Sequence, residues 1–284
     1  MNDGVCGRVQ DHVILSPTER RETVLHVIRR AKRRLRFSLF RCDDHKVLNE
    51  LAEARERGVH VEALVTPSAK GWGKRLKDLR VLLRDLGAEV HHWEGGEKYH
   101  AKYLVADDST AVVASLNFTQ KCFNDTCDFL LVSHDPKLIG SLRRLFESDR
   151  DAAASLPRNL SERLIIGPEH ARNRIAGLLE HARRRIRIID HRMADRAMIE
   201  LLERKREQGV DVQIIKDREI GGLRSHGRML IVDDTIAVLG SISLTPPSLD
   251  DRREVAVIIR QPEAVQRLLG FFDGGYNECA NKPS

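Results

Sequence analysis

The chain has 284 residues, a formal net charge of +6 and a sequence pI near 9.2. That length allows two ordinary domains, each able to bury a core, and no apolar run is long enough to span a bilayer. The basic balance suits an anionic partner, either nucleic acid or an acidic membrane surface, and the sign of the charge alone does not choose between them.

The first residues, MNDGVCGRVQDHV, carry acidic groups and no apolar stretch after a basic one, so they do not read as a secretory signal and a cytoplasmic protein is expected. A helix is predicted over residues 18–34, a strand over 34–39, a helix over 45–57 ended by Gly58, and a buried strand over 59–65. The segment that follows carries a basic aromatic loop with Lys70, Trp72 and Lys74, then a helix over 73–85 and a strand over 88–93. Cations beside an aromatic ring at a strand end suit a nucleic-acid strand, with Trp72 stacking on a base; a packed or lipid-facing Trp72 is the other reading. Strands over 103–106 and 111–114, joined at Asp107-Asp108, form a hairpin, and a helix follows Pro136.

Residues 156–159 (LPRN) read as a linker, which divides the chain into lobes 1–156 and 157–284. The second lobe repeats the order: helix 169–185, strand 186–189, helix 196–208 stopped by Gly209, strand 210–215, a hairpin of strands 229–232 and 236–239 around Asp233-Asp234, and a helix after Pro262. Early matches keep an offset of 151, as Gly58 does with Gly209, whereas later ones keep 126, so the first lobe holds about 25 extra residues. Five cysteines (Cys6, Cys42, Cys122, Cys127, Cys279) match no zinc-site spacing and read as reduced, mostly packing thiols. The arginine-rich runs near residues 29–36 and 183–187 read as solvated helix ends.

The most informative pair of segments is HAKYLVAD from His100 and HGRMLIVD from His226. Strand alternation puts His100 and Lys102 on one face, so both can point at one phosphate. Cleaving a phosphodiester needs a nucleophile, an acid for the leaving oxygen and cations for the nonbridging oxygens. Two histidines in opposite protonation states supply the first two, and a carboxylate beside each fixes its tautomer. Asp128 and Glu254 are candidates for those carboxylates, while Lys102, Arg228 and Asn117 are candidates for the phosphate oxygens.

These residues resemble the phospholipase D superfamily, whose signature is H-x-K-x4-D, then G/A-S-x-N, then an acidic or amide residue. His100, Lys102, Asp107, Ser115, Asn117 and Asp128 match it in the first lobe, and His226, Asp233, Ser241 and Glu254 in the second, where Arg228 replaces the lysine and Ser243 the asparagine. The resemblance implies an α/β fold of two lobes, each a mixed β-sheet flanked by helices, with one active site at the pseudo-twofold between them. It also implies a phosphohistidine intermediate, with His100 as nucleophile and His226 as acid and then base, the reverse assignment remaining open. No cofactor or metal is required. Ser115, Ser241 and Ser243 are expected near the phosphate, whereas Asp107 and Asp233 are expected to stabilise the hairpin turns. His191 and the Arg41/Arg192 pair either reach the cleft or serve the structure.

Three functions fit: a metal-independent nuclease acting on DNA or RNA, a phospholipase or cardiolipin-synthase-like phosphatidyltransferase at an anionic membrane, and a binding protein that has kept the fold without turnover. Because the duplicated chain holds both half-sites, a monomer is expected.

Overall fold

A computed structural model describes residues 11–153 and 155–280, with side chains in the last helix described to residue 275. The amino-terminal stretch with Cys6, and the Cys279 side chain, lie outside the described residues. In the first lobe the elements run β1 (Asp11–Ile14), α1 (Pro17–Arg30), β2 (Arg34–Leu39), α2 (His45–Glu56), β3 (His60–Val65), α3 (Gly73–Asp85), β4 (Glu89–His92), β5 (Lys98–Tyr99), β6 (Tyr103–Ala106), β7 (Thr110–Ala114), α4 (Gln120–Asn124), β8 (Thr126–Cys127), β9 (Leu130–Ser133) and α5 (Pro136–Arg150). The second lobe continues with β10 (Leu164–Gly167), α6 (Ala171–Glu180), β11 (Arg185–Asp190), α7 (Arg196–Glu207), β12 (Asp211–Ile215), β13 (Arg224–Ser225), β14 (Arg228–Val232), β15 (Ile236–Gly240), α8 (Pro246–Asp250), β16 (Arg252–Ile259) and α9 (Pro262–Ala280).

The first sheet has the order β1-β9-β7-β6-β2-β3-β4 and the second the order β10-β16-β15-β14-β11-β12. The two orders coincide strand for strand except at β4, which with α3 comes from the extra segment of the first lobe. In both sheets the hairpin strands pair antiparallel, and a crossover helix then delivers a parallel strand, β2 to β3 and β11 to β12. Crossover helices start on aspartate caps, Asp44 accepting from Val47 N and Asp195 from Met198 N, and glycines at φ 83° and 84°, Gly58 and Gly209, follow their ends.

Alternation along each strand sorts side chains into three cores. Leu104 and Ala106 of β6 face outward, joining Leu35, Phe37 and Leu39 of β2 under α1, α2 and α3. Tyr103 and Val105 of the same strand face the other sheet, in a layer that also takes Leu142 and Phe146 of α5, Val265 and Leu268 of α9, and Val255 and Val257 of β16. The third core lies outside the second sheet, around Ile186, Ile188, Met198 and Ile258. One apolar layer thus joins the lobes across the pseudo-twofold.

Edge strands β1 and β10 are absent from the sequence expectation. Each is four residues long and pairs antiparallel with the strand that carries or follows the acidic residue of its lobe. Helix 169–185 is shorter than predicted, because α6 stops at Glu180 and β11 already starts at Arg185.

The motif aspartates work in the turns, as expected, and do more than that. Asp107 and Asp108 sit at φ 51° and 55°, and Asp233 and Asp234 at 50° and 60°, the left-handed conformation of tight hairpins. The Asp107 carboxylate accepts the backbone N–H groups of Lys32, Arg33 and Arg34 at 2.7–2.8 Å, pinning the hairpin tip to the start of β2. Asp233 repeats this on Arg183, Arg184 and Arg185 at 2.7–2.9 Å. Burial opposes the Asp107 charge, but these N–H groups outweigh it and lower the pKa. Its stabilising effect is therefore complete above the ordinary carboxylate value of about 4 and is lost as pH falls through the lowered one. Asp107→Ala is expected to cost about 2–3 kcal/mol in urea unfolding at pH 7, with the difference from wild type shrinking in acid. A pH-independent difference would contradict the role of the charge.

Candidate active site

Two short strand pairs cross between the lobes and assemble the site. β5 pairs parallel with the start of β16, setting Lys98 against Arg252 and Tyr99 against Arg253, and His100 N then donates to Arg253 O at 2.8 Å. β13 pairs parallel with β8, setting Ser225 against Cys127, and Gly227 N donates to Cys127 O at 2.7 Å. The strand before each histidine is thereby fixed to the two residues or the strand just ahead of the acidic residue of the opposite lobe. Gly227 is needed for this approach, since a Cβ there would meet Cys127 O at 2.8 Å and the Phe129 ring at 2.7 Å.

The histidines and carboxylates consequently pair across the interface. His226 Nδ1 lies 3.0 and 2.9 Å from the two oxygens of Asp128. Asp128 is in turn held by Ser115 Oγ at 2.7 Å and Thr126 Oγ1 at 2.5 Å, so its position is set from its own lobe. Burial disfavours its charge, but His226 and these hydroxyls outweigh that and hold the carboxyl below its ordinary range. On the other side His100 Nδ1 has two neighbours at 3.1 Å, Glu254 Oε1 and Lys102 Nζ. Glu254 is buried, which raises its pKa against the pull of Lys102 and Arg228.

Cations dominate the centre. Lys102 is fully buried and its ammonium is pushed down by burial, against the pull of Glu254. Burial first, then Lys102, Arg228, Arg252 and Lys98, push the His100 imidazole well below its ordinary value, which leaves it neutral. Arg228 keeps two buried guanidinium nitrogens, Nε and Nη1, without a hydrogen-bond partner. Such unpaired buried donors are rare in folded proteins.

Over residues 24–150 and 219–274 the sequence matches the family described as "Cardiolipin synthase, PLD-like domain". The chain belongs to the phospholipase D superfamily. Its fold is similar to that of polyphosphate kinase from Porphyromonas gingivalis, with TM-score 0.74 and 17% identity, covering 93% of this chain but only 50% of the kinase. It is similar also to phosphatidylserine synthase from Haemophilus influenzae, with TM-score 0.72 and 14% identity over 96% of this chain and 86% of the synthase. Among curated protein sequences none matches. No described helix is long and apolar enough to cross a membrane.

Within this phospholipase D site, the residues singled out by the sequence divide into two groups. His100, Lys102, Arg228, His226, Asp128 and Glu254 come together as described. The serine hydroxyls bond within the protein. Ser115 serves Asp128, Ser241 Oγ exchanges contacts with Val255 N and O at 3.2–3.3 Å, and Ser243 Oγ donates to Asp190 at 2.9 Å. Their hydroxyls are bonded to buried partners. Asn117 is buried, with Nδ2 3.9 Å from Cys122 Sγ and Oδ1 unpaired. Trp72 is half-buried against the outer core, and its ring is contacted by the guanidinium groups of Arg41 (5.4 Å) and Arg75 (5.3 Å) rather than left open for stacking. Lys70 and Lys74 are exposed, and Arg41 Nη2 bonds Lys70 O at 2.8 Å, tying that loop to the cleft.

Sequence reasoning missed Phe40, whose ring meets His100 edge-on at 4.4 Å. Its signal was the offset of 151, which equates Phe40 with His191. His191 stacks on His226 at 5.6 Å, and burial followed by Arg228, His226 and Arg192 pushes its pKa down to about 4. Each motif histidine thus has a ring on one side, apolar in the first lobe and a neutral imidazole in the second. Lys98 and Arg252 were also missed. They stand two residues before His100 and Glu254, a symmetry visible only once the lobes are known to cross-pair.

Proposed function

We propose that the chain is a metal-independent phosphodiesterase that cleaves nucleic acid through a phosphohistidine. His100 is the nucleophile. Its neutral imidazole carries the proton on Nδ1 toward Glu254 and attacks phosphorus with the Nε2 lone pair. His226, with Asp128 accepting its Nδ1–H, is charge-compensated while it holds the proton that it gives to the leaving oxygen. His226 then takes a proton from water, the resulting hydroxide attacks phosphorus, and the P–N bond breaks to restore His100. Lys102 and Arg228 hold the nonbridging oxygens throughout, and each step draws on protein groups alone. Both histidine–carboxylate pairs come from one chain, which supports a monomer as the working unit.

The observation that carries the polymer reading is a second ring of cations outside the first. Arg41 and Lys98 lie against the Phe40 ring at 5.0 and 5.6 Å, Arg192 Nε contacts His191, and Arg252 is opposite Lys98. Lys98 is lowered by burial and then by Arg252, Arg41 and Arg192, as expected of cations packed at a common mouth. One lipid phosphate leaves such a ring without counter-charge, whereas a strand presents further phosphates next to the scissile one. A lipid phosphodiester is the second reading, favoured by the description of the matched family.

Cleavage of labelled single-stranded DNA, duplex DNA and RNA in excess EDTA tests the proposal, with phosphatidylglycerol micelles as a parallel arm. Nucleic-acid cleavage that falls with added salt is expected. Turnover of the lipid alone would overturn the polymer reading, and turnover of nothing would overturn the enzyme.

The pH dependence has a defined sign. Because the His100 pKa is lowered and its neutral form is the reactive one, kcat/KM should hold as pH drops below the ordinary imidazole value of about 6.5, failing only as pH passes through the lowered value. An acid limb of kcat/KM at or above about 6.5 would contradict the assignment.

A further inference from the structure

Cysteine spacing shows no metal site in this sequence, but the crossing of the lobes brings three donor side chains together. Ligand atoms of Cys122, Asp128 and His226 all lie within 4.8 Å of one another, and Cys122 comes from α4 while His226 comes from the other lobe. We propose that these three residues form a regulatory site for a thiophilic divalent cation, of which zinc is the type, and that the bound ion switches the enzyme off.

A thiolate, an imidazole and a carboxylate are the donor set that zinc takes in four-coordinate sites, at about 2.3 Å for sulfur and about 2.0–2.2 Å for nitrogen and oxygen. Two tetrahedral N and O ligands at those lengths stand roughly 3.3 Å apart; His226 Nδ1 and Asp128 are 2.9–3.0 Å apart, and the Cys122 sulfur lies within 4.8 Å of both donors. The Cys122 backbone is held on both sides. Thr119 Oγ1 accepts from its N–H at 3.3 Å, and its carbonyl accepts from Thr126 Oγ1 at 3.0 Å and from Arg20 Nη1 at 3.3 Å. The floor of the site is buried, but the His226 side chain is 23% exposed to the cleft, which provides the entry and room for water as fourth ligand. Arg20 and Lys102 lie close enough to act on Cys122 and oppose a cation. The two anionic donors cancel the charge of the ion, which has to displace the proton of a thiol whose pKa is raised by burial and then by Asp128.

Ligation and catalysis exclude one another chemically. The ion takes the sulfur lone pair as the Cys122 proton leaves to solvent, and it takes the Nδ1 lone pair of His226, displacing the hydrogen bond to Asp128. The single proton of the neutral ring must then sit on Nε2. His226 has no lone pair left for the proton of water, and a metal-bound neutral imidazole is too weak an acid for the leaving oxygen. A soft cation at this site therefore removes whichever role His226 plays.

This inference rests on the proposed function only for its consequence, so binding and inhibition are tested separately. Cobalt(II) is titrated into the full-length protein under reducing conditions, and the sulfur-to-cobalt charge-transfer band is read for wild type, Cys122→Ser, Cys122→Ala and His60→Ala. The last removes a ligand from the group His60, Glu62 and Glu89, the other cluster with donor spacing among the described residues. A saturating band in wild type and His60→Ala, lost in both folded Cys122 variants as judged by circular dichroism, is expected. No band in wild type, or a band that survives Cys122→Ala, would overturn the site. In the cleavage assay zinc should then inhibit wild type at least tenfold more strongly than Cys122→Ser. Equal inhibition of the two would overturn the switch while leaving the nuclease reading intact, and absence of cleavage without zinc would overturn that reading while the cobalt spectrum still decides the site.

Discussion

Replacing His100 with alanine is expected to lower kcat/KM by about 10⁴-fold with little change in stability. The side chain is a terminal group of the site rather than of the core. Its ring meets Phe40, and its Nδ1 meets Glu254 and Lys102. The backbone bond from His100 N to Arg253 O, which holds the lobes together there, survives the substitution. Lys102 and Arg228 still bind phosphate in the variant, so KM should move much less than kcat. A variant that retains turnover within tenfold of wild type would remove His100 as nucleophile. One that loses binding in proportion to activity would make it a binding group instead.

Asp128→Asn is expected to lower kcat by about 10³–10⁴-fold, because an amide in that place can present its NH2 to His226 Nδ1 and impose the wrong tautomer. The crossing of the lobes makes this prediction specific. Asp128 belongs to the first lobe, yet its effect should appear in the histidine of the second, whose Nδ1 faces both its oxygens. Ser115→Ala should produce a smaller loss of the same kind, since its hydroxyl holds Asp128 at 2.7 Å. NMR of the imidazole nitrogens would show the altered tautomer at His226 in Asp128→Asn with His100 unchanged. A change at His100 instead would contradict the crossed pairing.

Much of the fold was legible because the duplication let each lobe check the other. Crossover helices α2 and α7 announce themselves by aspartate caps and terminal glycines, and α3 spans the predicted residues. Strands β1 and β10 were not legible. Four residues on a sheet edge carry too short a pattern to stand out, and β10 ends at a glycine followed by a proline. At the site, the motif identified which residues meet but not how they pair. The partners of His100 and His226 lie in opposite lobes through β5 on β16 and β13 on β8, two-residue pairings that no local pattern reveals. The serines failed for a related reason. A hydroxyl in a motif is compatible with substrate or with a buried partner, and only the tertiary contact of Ser115 with Asp128, or of Ser243 with Asp190, decides. Cys122 read as a packing thiol from spacing, and the feature that changes its meaning, proximity to His226, is again a contact between lobes.

The proposed mechanism passes through a covalent intermediate at His100. His226→Ala should still form it from a phosphodiester with a nitrophenolate leaving group, which needs no proton, and should then be unable to activate the water that releases it. Mass spectrometry of the quenched variant is predicted to find the phosphoryl adduct on the peptide containing His100, stable in base and labile in acid. An adduct on any other residue, or a burst of nitrophenolate with no adduct at all, would contradict it.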